Sequence, residues 1–243
     1  MEFKKYNEEL EYSYCFGGFP TFELLKNHPQ DVIKILTSSK LQKNDEWKKI
    51  EELAKSNNIS IEQNDKLIEK LSQKGNTYII GVFKKFQCTN SQKNTVVLVN
   101  PSDMGNLGTI LREMLGFGYD NLTIIKPACD HFNPKVVRAS MGAIFSVNTN
   151  IFSSFEEFEK QNTLPLYLFM LNGSENLSQL NMKNNKISSP HALVFGNEAT
   201  GLPKDYVSKG TSVKIHHSNK IDSLNLSMSV GIALYEFSKE KFL

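Results

Sequence analysis

Of the chain's twenty-eight basic residues only Arg112 and Arg138 are arginine, and both lie in glycine-containing segments of the C-terminal half. A guanidinium offers a planar fork of donors where a lysine offers a point charge, so two isolated arginines point to places where phosphate or carboxylate must be gripped in a fixed orientation. Arg112 stands in NPSDMGNLGTILREMLGFG, residues 100–118. A strand there passes through turn residues into a helix with Ile110, Leu111, Met114 and Leu115 inward, which brings Asn106, Gly108 and Arg112 to the helix start and first turns. A side-chain amide, a close backbone approach and a guanidinium could then converge. Asn106 as a plain helix cap and Gly108 as a packing glycine remain the bland alternative. The segment is not a dinucleotide fingerprint, because it lacks the third glycine and the spaced acid.

Two further segments carry candidate chemistry. LVFGNEATGLP (193–203) runs from a strand into Gly196, Asn197, Glu198 and Gly201, where backbone amides and one carboxylate could face a ligand. A strand-exit turn with a capping glutamate would read the same way. VKIHHSNKIDSLNLSMSVGIALYEF (213–237) holds a strand, a polar loop and a helix opened by Asp222 or Ser223, with Asn225 one turn in.

The elements that must position these residues fall into two blocks. The first shows helical patterns over 22–27, 45–56 and 65–71, the second of them with Trp47, Ile50, Leu53 and Ala54 on one face, and strands over 32–37, 59–61 and 78–83. The polar run 88–94 (CTNSQKN) reads as a linker, which divides the chain into a domain over 1–87 and another over 95–243. The second block alternates short, continuously apolar strands over 95–99, 122–126, 166–171, 192–195 and 213–215 with helices. That is the signature of an α/β domain with a mostly parallel sheet covered on both faces, its ligand expected at the carboxyl ends of the strands.

Composition narrows the function classes. With 40% hydrophobic and 22% charged residues the 243-residue chain suits a globular protein with a real core. A formal charge of +2 allows a nucleic-acid partner without announcing one. Cys15, Cys88 and Cys129 are widely spaced and form no C-x-x-C pair, so neither a disulfide framework nor a zinc site is indicated, and a reducing cytoplasm fits best. The first residues, MEFKKYNEELEYSY, show no apolar signal region, and the apolar runs are too short to cross a bilayer.

Taken in order, N-x-G-x-x-x-R, G-N-E-x-x-G-L and S-L-N-x-S resemble the three motifs of the SpoU/TrmH family of RNA ribose methyltransferases, in the SPOUT superfamily, over roughly residues 95–237. KVVRASMGAIFSV (135–147) is similar to the segment that members carry between the first two motifs. Residues 1–87 look more loosely like a small ribosomal-protein-like α/β domain that binds RNA.

The resemblance implies a trefoil-knotted domain, which general topology rules would exclude, and a homodimer with composite sites. It implies S-adenosylmethionine held by backbone groups around Gly196, Ile215 and Leu224, with Asn197, Gly201 and His217 in the same loops. Candidate catalytic residues are Arg112, at the ribose and its phosphate, with Asn106, Glu198, Ser223 and Asn225 shaping the site. Arg138 is a candidate RNA contact, with a buried ion pair as its structural alternative. No metal is expected.

A separate first domain favours ribosomal over transfer RNA. The chain departs from its relatives at Ile215-His216-His217, where Ile-Pro-Met is common, and at Asn219, where glycine is common. Adjacent histidines on a strand point opposite ways and do not make a metal site. The alternative is a catalytically inactive RNA-binding relative acting in ribosome assembly.

Overall fold

The computed structural model describes residues 2–72, 76–87, 93–180 and 189–242, so most of the expected linker lies outside the described residues. Two compact units result, one of Met1–Phe86 with Asp130–Ser146 and one of Gln87–Cys129 with Val147–Leu243. The first boundary falls between Phe86 and Gln87. The grouping of Asp130–Ser146 with the first unit differs from a contiguous domain over 95–243.

In the first unit β1 (Tyr12–Phe16), α1 (Gly18–Asn27), β2 (Val32–Thr37), α2 (Asp45–Ser56), β3 (Ile61–Gln63), α3 (Asp65–Leu71) and β4 (Ile79–Lys84) form a mixed sheet in the order β1-β4-β2-β3. Only β2 and β3 pair in parallel. Helix α2 spans the expected residues because Asn44 caps it, accepting from the Trp47 amide at 3.0 Å, while Trp47, Ile50 and Ala54 are buried. Strand β1 escaped the sequence reading. Its five residues are all buried, so the alternation that marks a half-buried strand is missing.

The second unit contains β5 (Thr95–Val99), α4 (Met104–Gly116) and β6 (Asn121–Ile125). The chain then contributes α5 (Pro134–Ala139) to the first unit and returns through β7 (Asn148–Phe152), α6 (Phe155–Gln161), β8 (Leu166–Phe169), β9 (Glu175–Asn176), β10 (Ala192–Phe195), β11 (Thr211–Lys214) and α7 (Leu226–Ser238). The seven strands run in the order β7-β6-β5-β10-β8-β11-β9 with every pair parallel, as expected from the continuously apolar strands β5 and β10. Strand order reverses between β5 and β10. Loops leaving those two carboxyl ends therefore diverge and leave a crevice, the place where open α/β sheets bind ligands.

Two expectations about helix starts are corrected. Asp103, not Asn106, caps α4, accepting from the Asn106 amide at 2.7 Å and leaving the Asn106 side chain free for other work. Asn225, not Asp222 or Ser223, caps α7: its Oδ1 accepts from the amides of Ser227 at 2.9 Å and Met228 at 3.4 Å. All three residues are competent caps, so spacing alone did not choose between them.

Candidate active site

The three motif segments meet through a chain of hydrogen bonds. Strand β5 runs into Asn100, whose φ of 55° is the left-handed turn that asparagine tolerates better than most residues. This turn offers the Asn100 carbonyl to Asn197 Nδ2 at 2.8 Å. Asn197 Oδ1 accepts from the amides of Ala199 at 2.9 Å and Thr200 at 3.3 Å, so its side chain is occupied in shaping the loop after β10.

Glu198 then reaches across to the start of α4. Its carboxylate accepts from the amides of Ser102 at 3.1 Å and Asp103 at 3.0 Å, from the Ser102 hydroxyl at 2.8 Å, and from Asn106 Nδ2 at 3.5 Å. Asn106 Oδ1 accepts in turn from Asn225 Nδ2 at 3.0 Å, which fixes the sense of both amides and joins α4 to the cap of α7. Ser102, Asp103 and Asn100 were not singled out from sequence. Their signal was the run of turn residues N-P-S-D directly after a buried strand.

Burial pushes the Glu198 carboxyl up, but the amides of Asp103 and Ser102 and the Ser102 hydroxyl outweigh it and hold the group below the usual glutamate range. A lowered folded-state pKa contributes stability that is fully present above the unfolded value of about 4.3 and is lost as pH falls through the folded one. The gap in urea midpoint between the wild type and Glu198→Gln should therefore be full near neutral pH and shrink below about pH 4.3. A gap constant with pH would show that the charge contributes nothing.

Beside this network lies a cavity of about 390 Å³, in the range of small-molecule sites. The candidate cofactor residues Gly196, Asn197, Gly201, Ile215, His217 and Leu224 all line it, and so does the candidate catalytic residue Ser223. Phe169, Leu202 and Leu226 supply apolar wall, Glu198 and Lys204 charge. Gly196 is a close backbone approach: a Cβ there would lie 2.1 Å from the carbonyl carbon of Gly201, which itself takes a φ of +65°. Such an apolar slot floored by backbone and edged by polar groups fits a nucleoside carrying an amino-acid tail.

Arg112 lies on the exposed side of α4, six residues and about 9 Å along the helix from Asn106. No hydrogen bond or ion pair ties its guanidinium to another side chain among the described residues, and the sequence expectation of convergence holds only as far as the shared helix. Arg138 belongs to the first unit, its guanidinium 5.4 Å from the ring centre of Phe16. The alternative of a buried ion pair for Arg138 has no partner among the described residues. His216 is exposed, and no group of three or more His, Cys, Asp and Glu among the described residues could hold a metal ion.

The profile of the SpoU rRNA methylase family matches residues 93–235, more than half of the chain. The chain belongs to this family, a family of S-adenosylmethionine-dependent RNA 2′-O-methyltransferases. An uncharacterized tRNA/rRNA methyltransferase of Synechocystis is 28% identical over 152 residues, 60% of this chain but only 53% of its own length. A putative tRNA (cytidine(34)-2′-O)-methyltransferase of Mycoplasma genitalium is 32% identical over 150 residues, 60% of this chain and 89% of its own. In fold, the AdoMet-bound rRNA methyltransferase of Sinorhizobium meliloti superposes with a TM-score of 0.78 at 22% identity, covering 96% of this chain and 88% of that one.

Proposed function

We propose that the chain transfers a methyl group from S-adenosylmethionine to a ribose 2′-hydroxyl of RNA, with ribosomal RNA favoured over transfer RNA. The observation that carries this reading is the bonding of Asn106, Glu198 and Asn225 into one network that reaches a cofactor-sized cavity through Glu198, with the Arg112 guanidinium, which bonds no other side chain among the described residues, on the same helix as Asn106. When bound, the cofactor supplies an electrophilic methyl group on a sulfonium. Backbone around Gly196, Ile215 and Leu224 would hold it, with Asn197, Gly201, Ser223 and His217 shaping the loops.

Methyl transfer is an in-line displacement by a poor nucleophile, so alignment and charge stabilisation must supply the rate. Arg112 is assigned to the ribose and its phosphate, which it would fix bidentately while stabilising negative charge that develops on the 2′-oxygen. A guanidinium does not serve as base, since it stays protonated in proteins. Asn106, Glu198 and Asn225 act as positioning residues, because their polar atoms are spent on one another and on the two helix starts.

The first unit is assigned to RNA binding as a ribosomal-protein-like domain, with Arg138 as one phosphate contact. A trefoil knot in the second unit is supported by the all-parallel sheet and the likeness to solved methyltransferases. A cytoplasmic location agrees with the absence, among the described residues, of any helix long and apolar enough to cross a membrane. Homodimerisation is supported by α7, which exposes Met228, Ile232 and Tyr235 at 60%, 37% and 57%, an i, i+4, i+7 stripe that water does not favour. Incubating the protein with labelled AdoMet and separate pools of ribosomal and transfer RNA should label the ribosomal pool at a ribose 2′-oxygen. Labelling of tRNA alone would overturn the substrate choice, and no transfer to either would favour the inactive RNA-binding relative.

A further inference from the structure

One wall of the cavity carries a titratable ring. His217 lines it, and its Nδ1 lies 3.1 Å from the carbonyl oxygen of Ile215. A carbonyl only accepts, so Nδ1 must carry the proton, and the neutral ring keeps its lone pair on Nε2. With the Nδ1 edge bonded to its own loop, Nε2 is the remaining acceptor of a half-buried ring that lines the cavity. A second proton can enter only at Nε2. That step converts an acceptor into a donor and adds a positive charge at the cavity wall without breaking the bond to Ile215.

Resting on the assignment of this cavity to S-adenosylmethionine, we infer that His217 discriminates by charge between the sulfonium cofactor and its thioether product. The neutral imidazole turns a lone pair toward a cation, whereas the protonated ring repels it. S-adenosylhomocysteine presents the same adenosine and amino-acid tail with an uncharged sulfur, so it escapes the repulsion. Protonation of His217 thereby shifts the pocket from substrate toward product and strengthens product inhibition in acid.

The other charges around the cavity do not mimic this effect. From the loop after β10, Glu198 and Lys204 reach the wall, and the Glu198 carboxylate is held below the usual range by amides, so it stays ionised through the pH span in which an imidazole titrates. The residues contributed by the end of β8 and the loop after it (Phe169, Met170, Leu171, Asn172) and by α7 (Leu226, Ser229) are uncharged. Lys214, His216, Lys220 and Asp222 flank His217 on its own segment but do not line the cavity. Among them His216 carries the same kind of ring, and it is exposed.

Calorimetric titration of the full chain with AdoMet and with S-adenosylhomocysteine, at about pH 7 and about pH 5.5, reads the effect as the ratio of the two dissociation constants. For a half-buried charge pair the ratio should move about fivefold toward the product on acidification in the wild type and in His216→Gln, and stay flat in His217→Gln and His217→Met. A flat ratio in the wild type, a shift that survives in both His217 variants, or one abolished by His216→Gln would each overturn the inference. Failure of both ligands to bind the wild type at either pH would instead sink the cofactor assignment itself, and this inference with it.

Discussion

Arg112→Lys should lower the single-turnover rate of RNA methylation by roughly two orders of magnitude or more, while leaving AdoMet affinity nearly unchanged. The substitution keeps the charge and removes the planar fork, so it isolates the contribution of bidentate alignment. The position suits such a test because the side chain is exposed on α4 and bonds no other side chain among the described residues, so its loss should not disturb the fold. Arg138→Lys is the contrast: a residue holding phosphate by charge alone can be replaced by lysine, and most activity should remain. Near wild-type turnover in Arg112→Lys would show that a point charge suffices and would remove the alignment role.

Gly196→Ala should weaken AdoMet binding by tenfold or more and destabilise the protein by about 1–3 kcal/mol, the usual cost of overpacking. The added Cβ meets backbone rather than a flexible side chain: it would lie 2.1 Å from the carbonyl carbon of Gly201 and 2.3 Å from the Leu202 nitrogen. Relief requires the loop after β10 to move, and that loop forms the cavity wall and presents Glu198 to α4. Gly201, in the left-handed region, has little freedom to yield if the Asn197 carbonyl is to keep accepting its amide at 2.9 Å. Calorimetry with AdoMet, paired with a urea titration, separates the two effects. Unaltered affinity would mean that the close approach of the two glycines is not part of the cofactor site.

Much of the candidate site was legible in the sequence because the residues that build it are clustered. Asn106 and Arg112 are fixed relative to each other by one helix, and Gly196, Asn197, Glu198 and Gly201 by one tight loop. Local spacing therefore determined them. The parallel sheet was legible for a similar reason, since strands such as β5 and β6, buried on both faces, must be apolar throughout. Strand β7, with the sequence NTNIF, has no such signature and emerged only from its pairing with β6.

The order of the three motifs carried the resemblance to the family, and the strand and helical periods pointed to the α/β fold class. Tertiary structure alone decided how they act. Glu198 bonds residues about a hundred positions away, and Asn225, the cap of α7, also donates its side-chain amide to Asn106 Oδ1 at 3.0 Å. Asp130–Ser146 joins the first unit although the chain reaches it from the second, because burying Phe132, Val136, Val137 and Phe145 depends on partners far away in sequence. Periodicity reports which face of an element is apolar. It does not report which other apolar face will cover it, and that pairing is what turned a capping glutamate and two amides into the bridge between three loops.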